Sequence, residues 1–202
     1  MVGKINNNGF DFVDLGLPSG TLWSTCNIGA SKPTDYGLYF QWGDTIGYTA
    51  DQVGTKKKFS MDWSDYKWGV APNFTKYNTN GAKLDLEDDA ANFNMGGDWH
   101  IPTPEQCQEL IDNTTSEWTT LDDVNGRLFT SKKDSSKSIF IPATDIALEG
   151  SINGNGDGGL IWSSMLSTFS VFGGRSLYFD SGGASLGNDS RCLWRSVRGV
   201  IG

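Results

Sequence analysis

His100 is the only histidine in the chain, so Ser-His-Asp hydrolysis would have to recruit it. It stands between Trp99 and I-P-T-P-E-Q, at a helix start and away from any nucleophile elbow. A lone imidazole in that setting reads as a structural hydrogen-bonding residue. Cys26, Cys107 and Cys192 have spacings that fit neither a zinc site nor a Cys-x-x-Cys redox pair, and their odd number argues against a disulfide framework. Asp85, Glu87, Asp88 and Asp89, in L-D-L-E-D-D-A-A-N at 84–92, lack the Asp-x-Asp-x-Asp-Gly spacing and distant bidentate Glu of a calcium loop. Acidic residues in the first turn of a short helix, where the dipole favours them, account for the stretch. G-S-I-N-G-N-G-D-G-G at 150–159 leads to no Lys-bearing helix start, so it is not a phosphate cradle. The expectation is a chain with no metal and no cofactor.

Binding chemistry points to residues 162–198. In S-L-Y-F-D at 176–180, alternation sends Leu177 and Phe179 to one face of a strand and Ser176, Tyr178 and Asp180 to the other. Leu186 is expected to anchor inward and Ser185 to face out. Composition adds a second signal. Between 167 and 193 there is no Lys, Glu, Gln, Met or Trp, although these types supply 32 of the 202 residues. These five are the residues that no codon ending in C or T encodes. Every open-face residue of the window is reachable from an Asn codon, AAC or AAT, by changing only its adenines. The candidate ligand-binding positions are Ser167, Phe169, Val171, Phe172, Gly173, Ser176, Tyr178, Asp180, Gly183, Ser185, Gly187, Asn188, Asp189, Ser190, Cys192 and Leu193. Aromatic residues mixed with Ser, Gly, Asn and Asp resemble a paratope, in which rigid rings supply area and small polar groups supply adaptable hydrogen bonds. Sixteen positions suit a smallish protein patch better than a deep sugar pocket, because standard interfaces use roughly 20–30 residues a side.

The elements that must position this surface read as an α+β domain. Residues 10–14 and 21–25 alternate as strands around the turn P-S-G at 18–20, and 37–42 reads as a further aromatic strand. Residues 45–79 read as an ordered insertion pinned by Trp63, Tyr66, Trp68 and Tyr77. Thr103 is an N-cap followed by Pro104, starting a helix that buries Cys107, Leu110 and Ile111. Strands are expected at 126–131, 138–142 and 160–162, and Trp23, Trp42, Trp99, Trp162, Leu177, Phe179 and Val197 are expected to share one core. At 202 residues the chain suits one domain, spanning 1–202. The net charge of -8 disfavours nucleic acid, and Lys56-Lys57-Lys58 reads as a solvated loop. No segment reaches the ~20 apolar residues of a membrane span, and M-V-G-K-I-N-N-N-G lacks a signal peptide's apolar run. That start favours a virion component or a trimmed chain. Nothing in the sequence signals an oligomeric state.

Several motifs carry a family resemblance. They are F-V-D-L-G-L-P-S-G-T-L-W-S-T-C-N-I-G-A (12–30), Y-G-L-Y-F-Q-W-G-D (36–44), G-G-D-W-H-I-P-T-P-E-Q (96–106), G-R-L-F-T-S (126–131) and R-S-V-R (195–198). Together they resemble the Fibrobacter succinogenes major paralogous domain, and the 162–198 stretch is similar to the variable region of C-type-lectin-fold proteins diversified by retroelements. His100 stands where that family usually has Arg, and Gly199 where Pro commonly follows S-V-R. The resemblance implies a C-type lectin-like fold with two short helices, small antiparallel sheets and much irregular loop. It also implies a non-enzymatic receptor-binding protein whose C-terminal strands display a diversified surface to a protein or glycan ligand on a bacterial surface, outside the cell, on a phage tail or a cell surface. Two alternatives stand beside it. One is an adhesin or fimbrial tip with a fixed surface. The other is an enzyme like the formylglycine-generating enzymes, which share the fold and carry a motif like W-H-I-P-T-P-E but need paired reactive cysteines.

Overall fold

Alternation in F-D-F-V-D and L-W-S becomes a paired hairpin. In the computed structural model, which describes residues 5–55, 63–144 and 156–202, β1 (Ile5–Asn7), β2 (Phe10–Asp14) and β3 (Leu22–Ser24) pair antiparallel, with Val13 opposite Trp23. The turn into β3 closes by a 3.0 Å bond from the Gly20 N–H to the Leu17 carbonyl, with Gly20 at a φ of 81° that favours glycine. The last strand, β12 (Val200–Ile201), pairs with β3 and completes a four-stranded sheet, so the first and last described strands share one sheet.

The helices follow their caps. Thr103 accepts the Gln106 N–H while the Gln106 side chain accepts the Thr103 N–H, a capping box that starts α3 (Pro104–Asn113). Asp89 caps α2 (Ala90–Met95) through the Ala91 and Asn92 N–H groups. Residues 86–88 before it form only a 3-10 turn, so the acidic stretch starts a helix at Asp89 alone. A third helix, α1 (Ala50–Thr55), lies in the insertion, where the sequence reading expected loop. The architecture is thus α+β, with three short helices among the described residues rather than two. Among the described residues no helix is long and apolar enough to cross a membrane.

Two further sheets complete the chain. β5 (Thr114–Leu121), β6 (Val124–Ser131) and β7 (Ser138–Pro142) form a meander; β6 and β7 were expected, β5 was not. Its turn uses Asp122 and Asp123, both at positive φ, without the Asn-Gly or Asp-Gly pair that usually marks such a hairpin. The central sheet has the order β10 (Gly183–Ser190), β9 (Gly173–Asp180), β8 (Gly158–Leu166), β11 (Arg195–Ser196) and β4 (Tyr39–Phe40). β4 is shorter than the expected 37–42, and β8 is longer than the expected 160–162. Most of the Gly/Asn-rich 150–159 stretch, and Lys56-Lys57-Lys58, lie outside the described residues.

β8 is buried on both faces, and this divides the expected single core in two. Trp162 joins Trp42, Trp99 and Val197 in one apolar cluster, whereas Ile161 joins Trp23, Leu177, Phe179 and Leu110 in the other. All seven residues expected in the core are buried, but a sheet lies between the two groups. Adjacent residues of a strand point to opposite faces, so a central strand covered on both sides must feed two clusters.

Arg198 ties the sheets together. Fully buried, it donates from Nε to Asn27 Oδ1 (2.9 Å), from Nη1 to the carbonyls of Ser24 (3.1 Å) and Thr25 (2.9 Å), and from Nη2 to the Phe140 carbonyl on β7 (3.1 Å). Burial lowers its pKa, and the four oxygens replace the water that a guanidinium would otherwise bind.

Candidate ligand-binding surface

The window from 167 to 193 folds as a loop, the β9–β10 hairpin and the segment returning to β11. The 167–172 loop is closed at its base by the Ser167 N–H to the Gly173 carbonyl (2.8 Å). Serine hydroxyls shape it, Ser167 Oγ accepting from the Phe169 N–H and Ser170 Oγ from the Phe172 N–H, each at 3.2 Å. Phe169 is 86% exposed and Phe172 42%, the former the most exposed large apolar side chain among the described residues.

Phe172 leans on aromatics from the insertion. Its ring centroid is 6.3 Å from Trp63 and 5.7 Å from Phe74, both edge-on. Trp63 also meets Tyr66 and Phe74 at 5.5 and 5.3 Å, and buried Arg191 lies 3.6 Å over the Phe74 ring. Tyr66 donates to the Trp42 carbonyl (2.8 Å) and Trp68 to the Gly43 carbonyl (3.0 Å), anchoring the described part of the insertion as its aromatic content predicted. The result is an open groove of roughly 390 Å³ lined by Trp63, Ser167, Ser170, Phe172, Gly173, Asn188, Asp189 and Ser190. Five of the sixteen candidates other than Ser167 thus meet at one place, and Trp63 and Ser170 join them. In the sequence Trp63 reads only as a loop anchor, because it lies far from the window whose groove it completes.

Four candidates are corrected by burial. Ser176 is fully buried, though it shares its face with Tyr178 and Asp180 as alternation requires. It lies opposite Trp162, and at the neighbouring Gly174 an added Cβ would stand 2.8 Å from the Trp42 ring and 3.0 Å from Trp162. The indoles cover that end of the face. Ser167 is buried at the loop base, and Leu193 in the return to β11. Cys192 is buried in the aromatic cluster with Tyr66 and Phe74.

Two acidic candidates have structural partners. Asp189 Oδ2 accepts from Nε (2.6 Å) and Nη2 (2.5 Å) of buried Arg195, so its charge is spent inside the protein. Asp180 organises the hairpin turn, accepting from the Gly182 and Gly183 N–H groups and from Tyr178 Oη (2.6 Å). The Tyr178 hydroxyl bond, with the backbone bonds, holds the Asp180 carboxyl below its ordinary value. Ser185 and Asn188 are exposed, but the register puts Asn188 opposite Arg175, on the face of Leu177 and Leu186. Leu186 packs inward against the second cluster as expected, and Ala184 packs there with it.

The groups considered for catalysis or metal are placed elsewhere. His100 Nδ1 and Nε2 face the carbonyls of Ile101 and Gly202, each at 3.0 Å, and Asp89 is filled by backbone N–H groups of Ala91, Asn92 and Ile101. Ser164 lines the same small cavity as these two, but its buried hydroxyl has no hydrogen-bond partner among the described residues. Cys107 lies in the second core cluster, where burial pushes its thiol up; Cys192 lies in the aromatic cluster and Cys26 is partly buried near Ser24. Asp85, Glu87 and Asp88 do converge, but Lys76 Nζ sits among them at 2.6, 3.2 and 2.6 Å. The lysine ammonium supplies the positive charge that this acidic group needs.

This cluster gives an acid-stability prediction. Burial opposes the charge on Asp88, but bonds from Lys76, Tyr77 and Lys67 outweigh it and hold the carboxyl below its ordinary 3.8. A carboxylate with a depressed folded pKa adds stability above the unfolded value and loses it as pH falls through the folded one. The stability gap between wild type and Asp88→Asn is therefore expected to close as pH drops below 3.8. Urea titrations of both proteins from pH 7 to 2 measure it; a constant gap would show that Asp88 does not act through its charge. A chelator should leave both midpoints unchanged.

Neither a family model, nor a curated protein, nor a solved structure matches this chain.

Proposed function

We propose that the chain is a non-enzymatic ligand-binding protein of C-type lectin-like fold, displayed outside the cell, whose C-terminal surface is diversified by a retroelement to meet varied protein or glycan ligands on bacterial surfaces. The observation that carries this reading is a coincidence of sequence and place. The codon-restricted window supplies, among the described residues, the most exposed large apolar side chain and most of a groove, on a loop and the start of a hairpin whose opposite face is core. The meeting of first and last strands in one sheet, with much irregular chain between, supports the fold assignment.

A fixed-surface adhesin is the second reading, and a specific observation favours it. Ser167, Ser176, Cys192 and Leu193 are buried and Asp189 is clamped by Arg195, so part of the window serves folding. The two readings separate in a displayed library with AAC-derived codons at Phe169, Phe172, Tyr178, Ser185 and Asn188, leaving Val171, which packs against the Tyr66 and Phe74 cluster, unchanged. Surface changes usually stay within ~0.5 kcal/mol each, so most members are expected to fold. Ligand choice, scored on a panel of bacterial surface proteins, should change from member to member. Wholesale unfolding, or binding indifferent to these positions, would leave the fixed adhesin. A near-copy of the window in the adjoining DNA, with adenines at these codons beside a reverse-transcriptase gene, would decide for diversification.

A further inference from the structure

β10 is an edge strand of the central sheet, and among the described residues only β9 pairs with it. The Arg191 N–H bonds the Phe172 carbonyl at 3.0 Å, and the register continues from there, Ser190 opposite Gly173 and Gly183 opposite Asp180. In an antiparallel ladder, residues alternate between exchanging both backbone bonds with the neighbour and turning both away. Gly183, Ser185, Gly187 and Asp189 therefore bond to β9, while Ala184, Leu186 and Asn188 turn their N–H and C=O groups outward. These groups have no hydrogen-bond partner among the described residues. Exposed edges are normally blunted by lysine, proline or a bulge. β10 reads G-A-S-L-G-N-D-S in unbroken register, and has none of these.

We propose that this edge accepts an extended segment of a protein ligand as an added antiparallel strand, and that the groove at its end takes an apolar side chain of that segment. The proposal rests on the ligand-binding reading above and names its ligand class. Three outward residues spaced by two offer six main-chain bonds, which are indifferent to the ligand's sequence and so survive changes in the surrounding side chains. Ser185 is exposed and a Cβ at Gly183 would meet nothing within 4 Å, so the strand's outer face leaves room for the ligand's own side chains. Continuity with the groove selects a foreign segment over a second copy of β10. Asn188, Asp189 and Ser190 end the strand and line the groove, whose other wall is Trp63 and Phe172. The one carboxylate there is neutralised by Arg195, so the occupant suited to it is uncharged and apolar. At roughly 390 Å³ the groove lies near the small end of the range for ligand pockets, roughly 300–1,000 Å³.

The test selects linear nine-residue peptides from a displayed library on the full chain and synthesises the best binder. Amide exchange of Ala184, Leu186 and Asn188 is expected to slow by about tenfold or more in the complex. Ala184→Pro removes one outward N–H without touching the bonds to β9, and prolines are tolerated on edges; it should weaken the peptide by about tenfold or more with the melting midpoint kept. N-methylating the peptide at alternate residues tests the same bonds without altering the protein: one parity should abolish binding and the other spare it. Binding unaffected by either change, with the three amides unprotected, overturns the proposal. So does failure to select any peptide, binding of a neutral oligosaccharide such as maltoheptaose in the groove in place of peptides, or a free protein that sediments as a dimer dissociated by Ala184→Pro. If binding needs Phe169 and Phe172 but not the edge, the strand proposal falls and the ligand-binding reading stands; if it needs neither, both fall.

Discussion

Arg198→Ala is expected to lower the unfolding free energy by about 3–5 kcal/mol, a large part of the roughly 5–15 kcal/mol that holds a domain together. The guanidinium is fully buried and reaches Asn27, Ser24, Thr25 and Phe140, so its loss leaves a cavity and several buried oxygens without their donor. Removing the buried charge recovers part of its desolvation cost, which limits the loss. Arg198→Lys should rescue little, because one ammonium cannot match donors spread across a planar fork. Denaturant titration of both variants measures this. A loss below about 1 kcal/mol for the alanine variant would mean that water enters and replaces the side chain.

The second large effect falls within the ligand-binding window. Asp189→Asn is expected to cost about 3 kcal/mol, the low end for breaking a buried ion pair, because the carboxylate is partly exposed while Arg195 is not. Arg195 would remain buried with its carbonyl contact to Trp194 but without its counter-charge. Adding Arg195→Met to Asp189→Asn should recover most of the loss, since removing both charges removes the uncompensated one. A double-mutant cycle followed by thermal unfolding reads the coupling. Additive losses would show that the pair is not coupled. The same cycle bears on diversification. A randomised window that includes Asp189 would lose folded members wherever the carboxylate is replaced.

Some of this was readable locally. Thr103 and Pro104 announce α3 because an N-cap oxygen and a ring-fixed φ act within one turn of chain. Leu177 and Phe179 go inward together because alternation is a property of the extended backbone. β5 escaped because its turn residues, Asp122 and Asp123, do not mark a hairpin, and α1 because it lies in a stretch of mixed polarity.

What the sequence by itself determined is therefore the parity of β2, β3 and β9, the Thr103 cap, and the restricted alphabet of residues 167–193, all of which follow from covalent geometry or from composition. Which face stays open was decided only by the fold. Ser176 and Tyr178 have the same parity, yet Trp42 and Trp162 cover the end where Ser176 stands and leave Tyr178 at the margin. Asp189 and Asn188 are equivalent as letters, but Arg195 arrives from the next strand to claim the carboxylate. Trp63 becomes part of the groove because the insertion folds back on Phe172, a contact between residues more than a hundred positions apart. Burial and pairing depend on which elements pack together, and that is a property of the whole chain rather than of any window within it.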